Sequence, residues 1–174
     1  MAKGYYWYVT RDEIREIAAI VGGDKTYSHF VHRINKEFEL SDEERNSQVY
    51  VLFQEDDKGA RIGFCVIGHS PAKMGVWEKT FKDEGWVDGD FSMQDPCFEL
   101  MYMYVKPEAR TEGTGSLLFS RAMDFAKERK VKGVYAYVSD RNNSALNFYK
   151  KMDANILQDF SEDGLSAAFL EWKL

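Results

Sequence analysis

The chain has 174 residues, 44% of them hydrophobic and 15% aromatic, enough for one globular domain with a sizeable core and cramped for two. Its 23 basic and 29 acidic side chains leave a formal charge of -6, which argues against the basic face of a sequence-independent nucleic-acid binder and favours a cationic small molecule instead. No run reaches the length needed to span a bilayer, and the start MAKGYYWYVTR lacks the apolar stretch and cleavage site of a signal peptide, so a cytoplasmic location is the default expectation.

Residues Tyr5 to Val9 are β-prone and lead into Thr10-Arg11-Asp12-Glu13, a capping box that predicts a helix start. Ile14, Ile17, Ala18 and Val21 then recur at helical spacing until Gly22-Gly23 ends the run. A second helix is expected from about Asp24, with Tyr27, Phe30, Val31, Ile34 and Phe38 as its stripe, and Ser41 to Glu44 can cap one further short turn.

The runs QVYVLFQ (Gln48 to Gln54) and RIGFCVIGH (Arg61 to His69) flank the polar EDDKGA and read as an antiparallel hairpin of central strands. Cys65 and Cys97 both fall in predicted strands and read as buried reduced thiols rather than a disulfide, a metal site or a nucleophile. Ser70 to Pro96 is too long for a simple connection. Ser70-Pro71 suits a helix start there, and Met74, Trp77, Lys79, Phe81 and Trp86 give an aromatic but irregular pattern.

From Phe98 the chain reads FELMYMYVKPEARTEGTGSLLFSRAMDFA: an aromatic-rich strand, a turn, two closely spaced glycines and an amphipathic helix with Gly115, Leu118, Phe119, Ala122, Phe125 and Ala126 on one stripe. A strand over Gly133 to Ser139, a helix over Asn142 to Met152 and a terminal hairpin (Ile156 to Phe160, Ser166 to Lys173, joined by SEDG) complete it. The order β, α, α, β, β, insertion, β, α, β, α, β, β demands one parallel pair with a crossover helix among antiparallel hairpins. The expected fold is therefore α/β (α+β), a single domain over 1–174.

Gly113-Thr114-Gly115 opens the helix with no Cβ atoms in the way, so a polyanion could reach its unpaired amides. The dinucleotide fingerprint fails, because Leu118 stands where a third glycine is needed and KPEARTE separates strand from glycine. A P-loop fails as well, because Gly115-Ser116-Leu117 lacks the phosphate-binding lysine. On the glycine pair alone, punctuation of a turn is the commoner reading.

Two longer motifs change that balance. The strand ending Tyr-Val-Lys-Pro-Glu runs into Arg110-x-x-Gly113-x-Gly115, and Asn143-Ser144-Ala145-Leu146-Asn147-Phe148-Tyr149 follows downstream. Together they resemble the GNAT superfamily of N-acetyltransferases, firmly over Phe98 to Met152 and in element order over the whole chain. The resemblance implies a mixed, mostly antiparallel sheet of about seven strands flanked by helices. Three departures stand out: Asp153 and Ala154 where the family usually has glycine and an aromatic, the acidic Glu112 in the turn, and the Ser70 to Pro96 insertion.

The resemblance implies acetyl-CoA, or another acyl-CoA, as co-substrate, with no metal. The amides of Glu112, Gly113, Thr114, Gly115 and Ser116, with neighbouring Thr111, would hold the pyrophosphate, and Arg110 would add charge. Met103, Tyr104 and Val105 would pair their backbone with the pantetheine amides, and Asn143 is a helix cap or a cofactor contact. An alkylammonium has a pKa near about 10.4, so deprotonation at pH 7 costs roughly 4 to 5 kcal/mol and a base is useful.

Glu99 occupies the position of the catalytic glutamate of histone-acetylating members, and on an apolar strand its pKa should rise. Base or water-relay duty stands against the plain reading of a strand-start glutamate held by a nearby Lys or Arg. Tyr149 matches the family's proton donor to the departing thiolate, against the plain reading of a core aromatic beside Phe148. His69 is a weaker base candidate.

The resemblance implies an amine acceptor: the Phe-Tyr-Lys-Lys-Met run and the acidic balance are similar to those of bacterial polyamine acetyltransferases, and a protein amine or another small amine fits too. The resemblance allows a homodimer and implies neither a nucleic-acid nor a membrane partner. Competing readings are a non-catalytic acyl-CoA-binding module, and a protein-interaction domain that docks partners through Trp77, Phe81 and Trp86.

Overall fold

A computed structural model describes residues 4–8, 11–22, 48–69, 71–139, 144–159 and 167–174. The expected second helix from Asp24, the Ser41 to Glu44 turn, the Thr10 cap, the SEDG turn and Asn143 lie outside the described residues. The elements are β1 (Gly4–Tyr8), α1 (Arg11–Val21), β2 (Gln48–Glu55), β3 (Arg61–His69), α2 (Pro71–Asp83), β4 (Cys97–Val105), a 3-10 turn (Pro107–Glu112), α3 (Thr114–Glu128), β5 (Gly133–Ser139), α4 (Ser144–Lys151), β6 (Asn155–Asp159) and β7 (Ala167–Lys173). Strands hydrogen-bond in the order β1-β2-β3-β4-β5-β7-β6, so the described residues form a seven-stranded mixed sheet. The chain divides into two compact units, Met1–Gly68 with Tyr102–Ala122 and His69–Met101 with Met123–Leu174.

In the first unit β1 pairs antiparallel with β2, from Gly4 opposite Gln54 to Tyr8 opposite Tyr50. Tyr50, Val51, Leu52 and Phe53 are buried in succession, the pattern of a strand covered on both faces and the reason a two-residue alternation is missing from QVYVLFQ. The β2–β3 connection is a side-chain-built turn in which the Asp56 carboxylate accepts from the amides of Lys58 and Ala60, both at 2.9 Å. Arg61 at the start of β3 pairs with Glu16 of α1 and lies over the Phe53 ring, 4.2 Å from its centroid. α1 buries Ile17, Ile20 and Val21. Gln54, fully buried, accepts a 2.7 Å hydrogen bond from Arg121 of α3, so its burial is compensated.

The second unit holds the parallel pair, in which Cys97, Phe98 and Glu99 of β4 stand opposite Gly133, Val134 and Tyr135 of β5. β5 pairs antiparallel with β7 along its whole length, and β6 closes the edge against β7. Its core gathers Met74 and Phe81 of α2 with Met93, Cys97, Tyr135 and Phe169. The insertion is thus a helix over Pro71–Asp83 followed by an irregular segment, and Met74, Trp77 and Phe81 form its inward stripe. Phe81 lies 3.9 Å from Phe169 and 5.2 Å from Trp86 between ring centroids, and Trp77 meets Phe169 edge-on at 5.8 Å. Those rings are committed to the core, which weakens the partner-docking reading of the insertion.

A buried polar network pins the irregular segment to the sheet. The Tyr135 hydroxyl accepts from the Gln94 amide and donates to Glu171 Oε2, each at 2.7 Å, while Asn155 Nδ2 donates to Glu171 Oε1 at 3.1 Å. Burial pushes the Tyr135 phenol up from its ordinary value, the Gln94 amide pulls it back, and the neighbouring Glu171 carboxylate adds to the rise.

Three helices end the same way. After α2, Gly85 takes φ +71°, its amide bonds Lys82 O at 3.1 Å, and the Trp86 amide reaches back to Phe81 O at 2.8 Å. Lys130 closes α3 at φ 59° with the same pair of bonds. Asp153 closes α4 at φ 62°, with Ala154 N–H on Tyr149 O at 3.2 Å, and Trp172 Nε1 caps the Met152 carbonyl at 3.0 Å. The departure from glycine at this position therefore leaves the left-handed geometry intact, because a short polar residue tolerates it. Replacing Asp153 by Gly should stabilise the protein by about 0.5–1 kcal/mol, and Asp153→Val should destabilise it, as read from urea unfolding midpoints at unchanged slope.

Candidate functional site

In the first unit the end of β4 leads directly into the glycine turn. Pro107 sits at the first position of the 3-10 turn, where its missing N–H costs no hydrogen bond, and the turn ends at Gly113 with φ 74° and ψ 10°. This left-handed residue lets α3 begin at Thr114. Leu117 N–H is the amide that closes onto Gly113 O, at 3.1 Å, so the amides of Gly115 and Ser116 come before the helical ladder begins. Gly113 is exposed, and among the described residues nothing beyond its chain neighbours lies within 4 Å of where its Cβ would be.

Tyr104 and Val105 are buried, and the Tyr104 ring stacks on Phe64 at 6.0 Å, so their side chains pack as expected of a core strand. Met103 is half-buried. Arg110 turns back onto the strand: its Nε donates to Val105 O at 2.7 Å and its guanidinium lies 5.3 Å from the Tyr104 ring centroid. The structure thus brings Tyr104, Val105 and Arg110 into contact and engages the Val105 carbonyl internally. Thr114 is buried, Gly115 half-buried and Ser116 exposed, while Thr111 and Glu112 lie in the 3-10 turn.

In the second unit Glu99 sits in β4 between buried Phe98 and Leu100 and is itself only 3% exposed. It is a buried glutamate rather than a half-exposed one at a strand start. Phe98 stacks on Phe125 at 6.3 Å, which holds this part of the strand in place. Tyr149, on α4, is 7% exposed, its ring edge-on to Phe148 and to Trp172, each at 5.5 Å. Glu99 and Tyr149 are therefore held by separate elements of the same unit. Leu146, one turn before Tyr149, is buried as well.

His69 accounts for itself structurally. Its Nδ1 lies 2.8 Å from the Cys97 carbonyl oxygen, and since a carbonyl only accepts, Nδ1 carries the proton. Burial, with Asp95 and Glu78 adding, pushes the Cys97 thiol up to about 11, and burial alone pushes Cys65 up further. Both cysteines are free thiols.

A model of the acetyltransferase (GNAT) family matches residues 7–154. The chain belongs to this family. Among solved structures it is similar to Ard1 from Thermoplasma volcanium, with a TM-score of 0.61 and 16% identity over 98% of this chain and 97% of that one. It is similar also to the PaiA N-acetyltransferase of Thermoplasma acidophilum, solved in complex with coenzyme A, with a TM-score of 0.58 and 16% identity over 99% of both chains. A nourseothricin acetyltransferase matches at 22% identity and a TM-score of 0.48 over 74% of this chain, which spans 65% of that protein's length. No described helix is long and apolar enough to cross a membrane.

One residue that matters to this geometry escaped the sequence reading. Gly63 of β3 faces β4 so closely that a Cβ there would lie 2.8 Å from Tyr104 O and 3.4 Å from Val105 Cα. Its only signal in the sequence is a glycine inside a strand, which marks close backbone approach. Gly63→Ala should cost about 1–3 kcal/mol in urea unfolding, since backbone rather than a flexible side chain must give way. The native protein at pH 8 should leave both thiols unreacted with a disulfide reagent, reaction appearing on unfolding or, for Cys97, as pH approaches about 11.

Proposed function

We propose that the protein transfers an acyl group, in the first instance acetyl, from acyl-CoA to a primary amine by direct attack in a ternary complex. The observation that carries the reading is Gly113: left-handed, exposed, and with open space at its Cβ position, it stands where β4 hands over to the start of α3. The amides of Glu112 to Ser116 would hold the pyrophosphate, favoured by the positive end of α3. Arg110, turned onto Val105 O through Nε, would act through its remaining guanidinium nitrogens. Met103 and Tyr104 would offer their backbone to the pantetheine, and Asn143 is assigned a cofactor contact on the resemblance alone.

In the transfer, the neutral amine forms a C–N bond to the thioester carbonyl carbon and the C–S bond breaks. The amine proton passes to Glu99, directly or through water, and the departing thiolate takes a proton from Tyr149. Burial of both side chains supports the reading, because a charge developing away from water interacts more strongly with its partner. The net charge of -6 favours a cationic acceptor, of which a polyamine-like small molecule is one class and a protein amine another.

Isothermal titration with acetyl-CoA tests the donor half. Gly113→Val should abolish binding, with urea unfolding run alongside to show that the variant folds. Tyr149→Phe should leave acetyl-CoA affinity unchanged and lower kcat about a hundredfold or more in a CoA-release assay with an amine acceptor. Absence of binding to the unmodified protein would end the acyl-transfer reading.

A further inference from the structure

The second unit carries a cleft to which the acyl-transfer reading assigns no role. Between the segment after α2 and the edge strand β6 lies an open cleft of about 370 Å³, lined by Trp86, Asp88, Asp90, Phe91, Ile156 and Leu157 among others. That volume suits a small organic molecule. In a regular strand Ile156 and Leu157 would point to opposite faces. Here the β6–β7 register slips between Ile156 and Gln158, opposite Leu170 and Phe169, and both residues line the cleft. The aromatic wall is fixed from behind: Trp86 packs on Phe81, and Trp86, Phe91 and Leu157 lean on the core of this unit.

The charges select the occupant. The Asp88 and Asp90 carboxylates have neither an ion pair nor a side-chain hydrogen bond to the described residues, while three lysines of this unit are already engaged: Lys79 with Asp83, Lys82 with Glu78 and Lys150 with Asp159. Two carboxylates beside an indole and a phenyl ring attract a cation through charge and through the rings' π-electrons, and Ile156 and Leu157 offer its hydrocarbon part apolar contact. We propose that this cleft binds an organic ammonium ion with an apolar body. Binding there needs no CoA, so the inference stands or falls independently of the acyl-transfer reading.

Hexylammonium, titrated into the full chain without CoA and followed by backbone amide chemical shifts and calorimetry, is the test. It should give saturable shifts centred on Trp86 to Phe91 and on Leu157. Neutral hexanol should bind about tenfold more weakly, as should hexylammonium to the Asp88→Asn/Asp90→Asn double variant, whose substitutions are exposed and leave the core untouched. Shifts centred elsewhere, no saturable shift at millimolar probe, equal binding of hexanol, or unchanged affinity in the double variant would each overturn the proposal.

Discussion

Parallel strands cannot be joined by a tight turn, and from that constraint most of the architecture follows. Cys97 to Glu99 pair in parallel with Gly133 to Tyr135, so the chain between them must leave the end of β4 and return to the start of β5. α3 makes that return, and its buried Leu118, Phe119, Ala122, Met123, Phe125 and Ala126 secure it. Each large apolar side chain buried in that stripe contributes roughly 1.5–3 kcal/mol. The turn inherits its position from the crossover. A helix N-terminus next to a strand end is thus a consequence of topology, and a left-handed glycine at the junction makes it accessible.

Buried polarity in the second unit is concentrated where irregular chain meets sheet. Glu171 receives hydrogen bonds from Tyr135 and Asn155, and Tyr135 in turn receives the Gln94 amide. A carboxylate left unpaired at 2% exposure would cost several kcal/mol, so the four groups are kept together by the penalty for separating them. The same network ties Gln94 to the sheet, and just before it Trp86 and Phe91 pack against the core of this unit. Aromatic packing and charge thereby divide the labour in the insertion, with Phe81 and Trp77 inward and Asp88 and Asp90 outward.

The proposed chemistry draws on both kinds of order. The proposed roles of the turn rest on backbone amides, whereas those proposed for Glu99 and Tyr149 rest on buried side chains. Arg110 shows how far a motif residue can be reassigned by its neighbours. Its Nε donates to Val105 O and its guanidinium lies by the Tyr104 ring, so within the structure it closes the end of β4.

Much of this was legible along the chain. The run RIGFCVIGH marked β3 to the residue, GVYAYVS marked β5, and the Arg-x-x-Gly-x-Gly spacing marked the start of α3, because each depends on local periodicity or on a glycine's freedom. Asp153, where the family usually has glycine, still closes α4 in the left-handed conformation. Sequence alone could not show that Gly63 is pressed against Tyr104, that Tyr135 ties Gln94 to Glu171, or that a slipped register turns Ile156 and Leu157 to one side. Local preferences decide which residues become strand or helix, since they involve neighbours within a turn or two. Contacts between residues distant in the chain, and the register that sets them, were decided by the tertiary structure, because only packing determines which backbone comes within reach of which.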